Sequence, residues 1–140
     1  MEKAYIEQNY PLLSRIDSPA DLRKLSVEML PAVCSELRRF LIESLSTNPG
    51  HFASSMGSVD FTVALHYVFN APKDKLVFDV SHQSYPHKVL TGRASGFLGD
   101  VDDMNAISGY SSPAECPEYD NFEVGHTSTS ISLATGLQKA

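Results

Sequence analysis

Apolar residues in the first half of the chain recur at helical spacing. Leu30, Val33, Leu37, Phe40, Leu41 and Leu45 stand three and four apart, which gathers them on one helix face. Glu36, Arg38, Arg39 and Glu43 fall between them and read as the solvated side. The pattern begins near Leu30-Pro31, and Asn48-Pro49-Gly50 breaks it. Upstream, Ser18-Pro19-Ala20-Asp21 carries a start signal of its own. Ser stands at the N-cap, Pro where its missing N–H is harmless, and an acid in the first turn. A short helix to about Leu25 is expected there. Residues 1–17 show no clear period and read as a lead-in arm, with Leu12, Leu13 and Ile16 available to pack.

Beyond the break the pattern changes. His51-Phe52-Ala53-Ser54-Ser55-Met56-Gly57 reads as a loop of small residues, which allows a ligand close to the backbone. An amphipathic helix is expected from about Ser58 to Phe69, with His66 packing inside it and given no chemical role. Ala71-Pro72-Lys73-Asp74 then turns into Leu76-Val77-Phe78-Asp79-Val80, an apolar, β-branched run that reads as a buried strand. The run stops at Ser81-His82-Gln83. Ligands of open α/β sheets bind outside the carboxyl ends of strands, so His82 is placed for chemistry; the competing reading is a histidine that only caps or bonds backbone.

Tyr85 to Thr91 predicts a short helix closed by a left-handed Gly92. Lys88 and Arg93 form a small basic pair. Residues 94–121 carry little periodicity and many Gly, Ser, Pro and Asp residues, as expected of a mobile or functional loop. Phe122 to Val124 is a possible short strand, and Ile131, Ala134 and Leu137 predict a last helix from Ser128. One convincing strand against four or five helices is too few for a covered parallel sheet. The expected fold class is therefore α/β: the helix-rich, incomplete front part of a larger parallel-sheet domain.

Composition narrows the choice of function. The 140 residues include 42% apolar types, enough for a core. A net charge of −6 and the lack of a Lys/Arg cluster argue against a nucleic-acid surface. Cys34 and Cys116 form no CxxC, so neither a zinc ribbon nor a disulfide scaffold is indicated, and a reducing, cytoplasmic setting fits. No apolar run approaches membrane length.

His51, His82 and His126 share a context: each follows a break or strand end, and each is preceded by Gly50, Ser81 or Gly125. A zinc site is disfavoured, because neither HxH nor HExxH occurs. Nucleophilic catalysis is poorly supported, since there is no G-x-S-x-G and Cys116 has no recognisable partner. What remains is a set of imidazoles that donate hydrogen bonds to an anion and shuttle protons. Gly125-His126-Thr127 ahead of a helix start suits a phosphate oxygen, because unpaired N–H groups point outward there.

Several separate motifs then share one resemblance. They are Asp17-Ser18-Pro19-Ala20-Asp21-Leu22-Arg23-Lys24-Leu25, Pro49-Gly50-His51, Val63-Ala64-Leu65-His66-Tyr67-Val68-Phe69, His82-Gln83 with Tyr85-Pro86-His87-Lys88, Leu90-Thr91-Gly92-Arg93, and Gly125-His126 with Ser128-Thr129-Ser130-Ile131-Ser132. In this order, from Leu12 onward, the chain resembles the N-terminal part of the 1-deoxy-D-xylulose-5-phosphate synthases, thiamine-diphosphate enzymes related to transketolase. The resemblance implies the front part of a thiamine-diphosphate-binding domain at residues 18–140, preceded by the arm at 1–17. It implies condensation of pyruvate with glyceraldehyde 3-phosphate, supplying isoprenoid, thiamine and pyridoxal synthesis, by a cytoplasmic homodimer in the full-length enzyme. His51 and His82 match proton-handling residues, and Ser55, His82, Gly125, His126 and Thr127 match cofactor contacts. The magnesium ligands are expected beyond residue 140, so no metal residue is assigned and the 140 residues alone are expected to be inactive.

There are departures from the family pattern. Pro49-Gly50 replaces Gly-Gly, Phe52-Ala53-Ser54 replaces Leu-Gly-Ala, and Ser81 and Ser84 replace Gly and Ala around His82-Gln83. A divergent paralogue or subunit with another aldehyde acceptor, and a non-catalytic module, are the alternative readings.

Overall fold

The computed structural model describes residues 2–47, 50–99 and 107–140. Helices α1 (Glu2–Asn9), α2 (Pro19–Leu22), α3 (Leu30–Thr47), α4 (Phe52–Val68), α5 (Tyr85–Lys88) and α6 (Ser130–Lys139) are joined by irregular chain and short 3₁₀ turns. A π turn, Val89–Arg93, prolongs α5.

α3 and α4 form the principal pair. Val33, Leu37, Phe40 and Leu41 of α3 and Val59 and Val63 of α4 are buried together with Leu22 and Leu90. Burial of each such side chain contributes about 1.5–3 kcal/mol. Tyr10, Phe40, Phe97 and Tyr85 continue this core as edge-to-face contacts, with centroids 5.4, 6.0 and 5.2 Å apart. That chain of rings links the N-terminal arm to the ring of His51, 6.2 Å from Tyr85.

The arm is helical where the sequence shows no period. Ile6, Tyr10, Leu13 and Ile16 are buried, and polar bonds do the rest. Glu43 accepts from the hydroxyls of Tyr5 and Tyr10. Glu36 accepts from the N–H groups of Leu12 and Leu13 at 2.9 and 3.1 Å, and Arg39 donates to Asn9 O at 2.6 Å. The expected solvated side of α3 is therefore the seat of the arm.

α2 starts where the Ser-Pro signal places it and ends at Leu22. The Ser18 hydroxyl donates to Asp21 at 2.8 Å instead of capping a backbone N–H. α3 begins at Leu30 as expected; Asn48 and Pro49, the predicted break, lie outside the described residues, as do 100–106 of the predicted loop. Gly92 is left-handed, φ +86°, and a Cβ there would lie 2.7 Å from the carbonyl oxygen of Asp17. The predicted helix stop thus also locks the arm's end against α5.

Two expectations are corrected. The small-residue run is not a loop: α4 begins at Phe52, six residues early, because nothing in Ala53 to Met56 resists a helix and His51 serves as N-cap. The second is the strand. Leu76 to Val80 is irregular chain, and no strand occurs among the described residues, nor does Phe122 to Val124 form one. A strand exists through ladder bonds to a neighbour, and the described residues offer this run none. The α/β parallel sheet is thus not formed here, and the chain is a helix-rich body.

Candidate active site

α4 and the turn before α5 bring His51 and His82 together. His51 stands at the N-cap of α4. Its Nδ1 lies 2.8 Å from Gly109 O. A carbonyl only accepts, so Nδ1 carries the proton and Nε2 is the free nitrogen. Ser54 and Ser55, on the first turn of α4, each donate a hydroxyl bond of 3.0 Å to His82 O, and Ser58 donates to Gln83 O at 3.1 Å. Ser55 is fully buried.

The turn that presents His82 is strained. Val80 and Ser81 have φ of +58° and +71°, a region costly for residues with a Cβ and common at functional sites. Ser81 offsets part of this by bonding. Its hydroxyl donates to Val80 O at 2.6 Å and accepts from Ser111 N–H at 2.9 Å. Glycine would fit this backbone but make neither bond.

The imidazoles of His51 and His82 are 4.1 Å apart between centroids, inclined by 39°. Tyr110 closes the third side, 5.0 Å from His51 and 5.4 Å from His82. Both histidines stay partly exposed. The result is a shallow site with two imidazole edges and an aromatic wall, able to donate to, or take a proton from, a polar group brought against it.

His126 does not join this pair. Gly125, His126 and Thr127 are exposed, and among the described residues no hydrogen bond or ring contact ties His126 to His51 or His82. The segment is tethered through Asp79, three residues before His82. Its carboxylate accepts from the N–H groups of Ser128 at 3.0 Å and Ser130 at 3.3 Å. Chiefly the Ser128 N–H, with Ser130, holds the Asp79 carboxyl below the usual range. The N–H groups at the helix start expected to take a phosphate oxygen are thus taken by the Asp79 carboxylate.

A second cluster, absent from the sequence reading, lies behind the site. His66 Nε2 is 2.8 Å from His87 Nδ1, and His87 Nε2 is 3.0 Å from Asp120 Oδ1. Arg93 grips Asp120 with two bonds of 2.7 and 3.0 Å, the bidentate geometry that guanidinium favours. Fully buried Lys88 meets Glu115 Oε2 at 2.7 Å. Burial drives the His66 pKa down to about 3, with His87 and nearby cations adding to it. Burial likewise lowers His87, opposed by Asp120. Burial alone would raise Asp120, but the bonds from His87 and Arg93 outweigh it and hold the carboxyl low. Both histidines are therefore neutral, and the charge of Asp120 is met by Arg93. The one sequence trace of this cluster is the polar stripe Ser55, Ser58, Thr62, His66 at helical spacing along α4, which does not say what the stripe faces.

The family profile described as 1-deoxy-D-xylulose-5-phosphate synthase matches residues 13–140. The chain belongs to this family. Among its relatives, the 1-deoxy-D-xylulose-5-phosphate synthase of Thioalkalivibrio sulfidiphilus is 56% identical over 133 residues, 95% of this chain and 20% of that protein. That of Porphyromonas gingivalis is 56% identical over 129 residues, 92% of this chain and 20% of that protein. That of Chromobacterium violaceum is 53% identical over 131 residues, 94% of this chain and 21% of that protein. The chain spans about a fifth of the length of these curated relatives and resembles their N-terminal part.

Proposed function

We propose that this chain is the front of the cofactor-binding half of a synthase that joins pyruvate, with loss of CO2, to glyceraldehyde 3-phosphate. The observation that carries the reading is the meeting of His51 and His82, with the Nδ1 proton of His51 committed to Gly109 and its Nε2 left free. With its proton on Nδ1, His51 presents the Nε2 lone pair, which takes a proton from a substrate hydroxyl and can return it as the bond to that oxygen changes.

The residues fit one part of thiamine diphosphate and its metal. Gly125, His126 and Thr127 are exposed beside the start of α6, and a diphosphate there would take the Ser128 and Ser130 N–H groups in place of the Asp79 carboxylate that now holds them. Ser55 takes part from beneath, holding the His82 peptide. No cluster of metal-binding side chains exists among the described residues; the Mg2+ ligands are proposed to come from beyond residue 140, as the family resemblance implies. When bound, thiamine diphosphate supplies the carbon nucleophile and the electron sink. His51 and His82 handle protons at the substrate oxygen, and Tyr110 walls off water on one side.

In the longer protein, residues 76–80 pair as a strand of the parallel sheet, with residues 18–140 the start of that domain and 1–17 an arm packed on it. The exposed apolar residues Phe61 and Val68 of α4 support burial against further protein, and the working form is a cytoplasmic homodimer. No helix among the described residues is long and apolar enough to cross a membrane.

The test is product formation from pyruvate and glyceraldehyde 3-phosphate by the full-length protein with thiamine diphosphate and Mg2+, against His51→Asn and His82→Asn variants. Turnover lost in both variants, with cofactor still binding, is the expected result. Wild-type protein that binds cofactor but forms no product from this pair would sink the reading.

A further inference from the structure

The free nitrogen of His51 depends on a backbone carbonyl in an irregular segment. Irregular chain does not hold a 2.8 Å bond by itself; something must fix it. Residues 108–111 are fixed at three points. Glu115 Oε1 accepts from Ser108 N–H at 2.7 Å, and Lys88 Nζ donates to Ser108 O at 2.9 Å, so both sides of this residue's backbone are held. Lys88 and Glu115 are themselves paired at 2.7 Å, and Arg93 reaches the same Glu115 oxygen at 3.3 Å. At the far end Ser111 N–H binds Ser81 Oγ. Gly109, between these anchors, aims its carbonyl at His51.

Gly109 leaves little room for error. A Cβ there would lie 3.1 Å from His51 Cε1 and 3.4 Å from Nδ1, so carbonyl and ring are in close contact and any shift of one moves the other. Glu115 touches neither imidazole. Its carboxylate holds the Ser108 N–H, two peptide units before the carbonyl that sets the His51 tautomer, and Lys88 holds the carbonyl of the peptide between them.

We infer that Glu115 is a positioning residue: with Lys88 it fixes the Ser108-Gly109 backbone so that the Gly109 carbonyl holds the Nδ1 proton of His51 and leaves Nε2 facing the substrate. The inference rests on the proposed synthase reading for its meaning, and on the clamp alone for its geometry.

The experiment uses 15N-histidine-labelled full-length protein without added cofactor, read by NMR for the His51 tautomer, beside steady-state kinetics with pyruvate and glyceraldehyde 3-phosphate. Wild type shows His51 with the proton on Nδ1. In Glu115→Gln and in Gly109→Ala the ring is expected to populate both tautomers, with kcat lowered about tenfold or more and KM within about twofold, a fraction of what a proton-handling group is worth. If Glu115→Gln does not fold, Glu115→Asp, which keeps the charge against Lys88 but shortens the reach to Ser108 N–H, decides. An unchanged tautomer and unchanged kcat, with only the melting temperature lowered, would reduce Glu115 to a stabilising residue and overturn the inference. A wild type that makes no product, yet whose tautomer shifts in both variants, keeps the positioning role and removes the synthase reading.

Discussion

Two pairs of histidines stack in this small body, and they are opposites. His51 and His82 lie 4.1 Å apart with partly exposed rings. His66 and His87 lie 5.0 Å apart, nearly parallel at 14°, and are buried. The inner pair has its protons assigned throughout. Asp120 accepts from His87 Nε2, so His87 Nδ1 accepts from His66 Nε2, and burial keeps both rings neutral. In the outer pair His51 has one nitrogen committed to a carbonyl and the other left for a ligand. The same side chain is a structural pin when both nitrogens are enclosed, and is accessible to a ligand when one is open.

The largest effect should come from the outer pair. His51→Asn in the full-length protein is expected to lower kcat by about 10²–10⁴, the usual worth of acid–base assistance, while the melting temperature stays within about two degrees. A comparable loss of stability would erase the distinction between the pairs.

Asp120→Ala attacks the inner pair. It strips the bidentate partner from Arg93, leaving Glu115 at 3.3 Å, and removes the acceptor from His87 and from Ser112 N–H, 2.8 Å away. Breaking a buried ion pair from one side costs about 3–5 kcal/mol. Urea unfolding is expected to show a loss of that size, and a change below about 1 kcal/mol would mean the network is not held as described.

A smaller effect is a pH dependence with a definite sign. His66 has a folded pKa near 3 against about 6.5 unfolded. Between these values the unfolded chain binds the extra proton, so stability rises with pH and is lost as pH falls below about 6.5. At pH 5 the loss from this residue is about 2 kcal/mol. His66→Leu should flatten that part of the stability–pH curve, and an unchanged curve would show the ring to be open to solvent.

The smallest effect is expected at Ser81→Gly. It relieves a left-handed serine, worth about 1 kcal/mol, and removes a hydroxyl that bonds Val80 and Ser111, worth about the same. Thermal melting should move little, whereas a fall beyond about 2 kcal/mol would make the Ser111 bond a principal tie of the site.

Much of the outer pair was legible in the sequence because its signals are local. A helix break beside His51, a polar turn at His82 and a glycine at position 92 are each read from a few neighbours. The inner pair was not, because its logic spans the chain: His66 meets His87 across 21 positions and Asp120 meets His87 across 33. His126 was grouped with the other two by its surroundings in sequence, yet its exposure keeps it apart here. The strand expected at 76–80 failed for a third reason. Its composition is right, but strand formation depends on a neighbour that composition does not supply.

The unbroken burial of Ser84 to Thr91 also bears on how the protein is made. Lys88 waits for Glu115, and Arg93 for Asp120, each 27 positions later. At about 5–20 residues per second of synthesis, α5 emerges some one to five seconds before the acids that neutralise it. Until then the ammonium of Lys88 inside this stretch and the guanidinium of Arg93 just after it lack those acids, and the stretch cannot be buried as it is in the folded chain. On the ribosome the burial of this segment waits for residues 115–120.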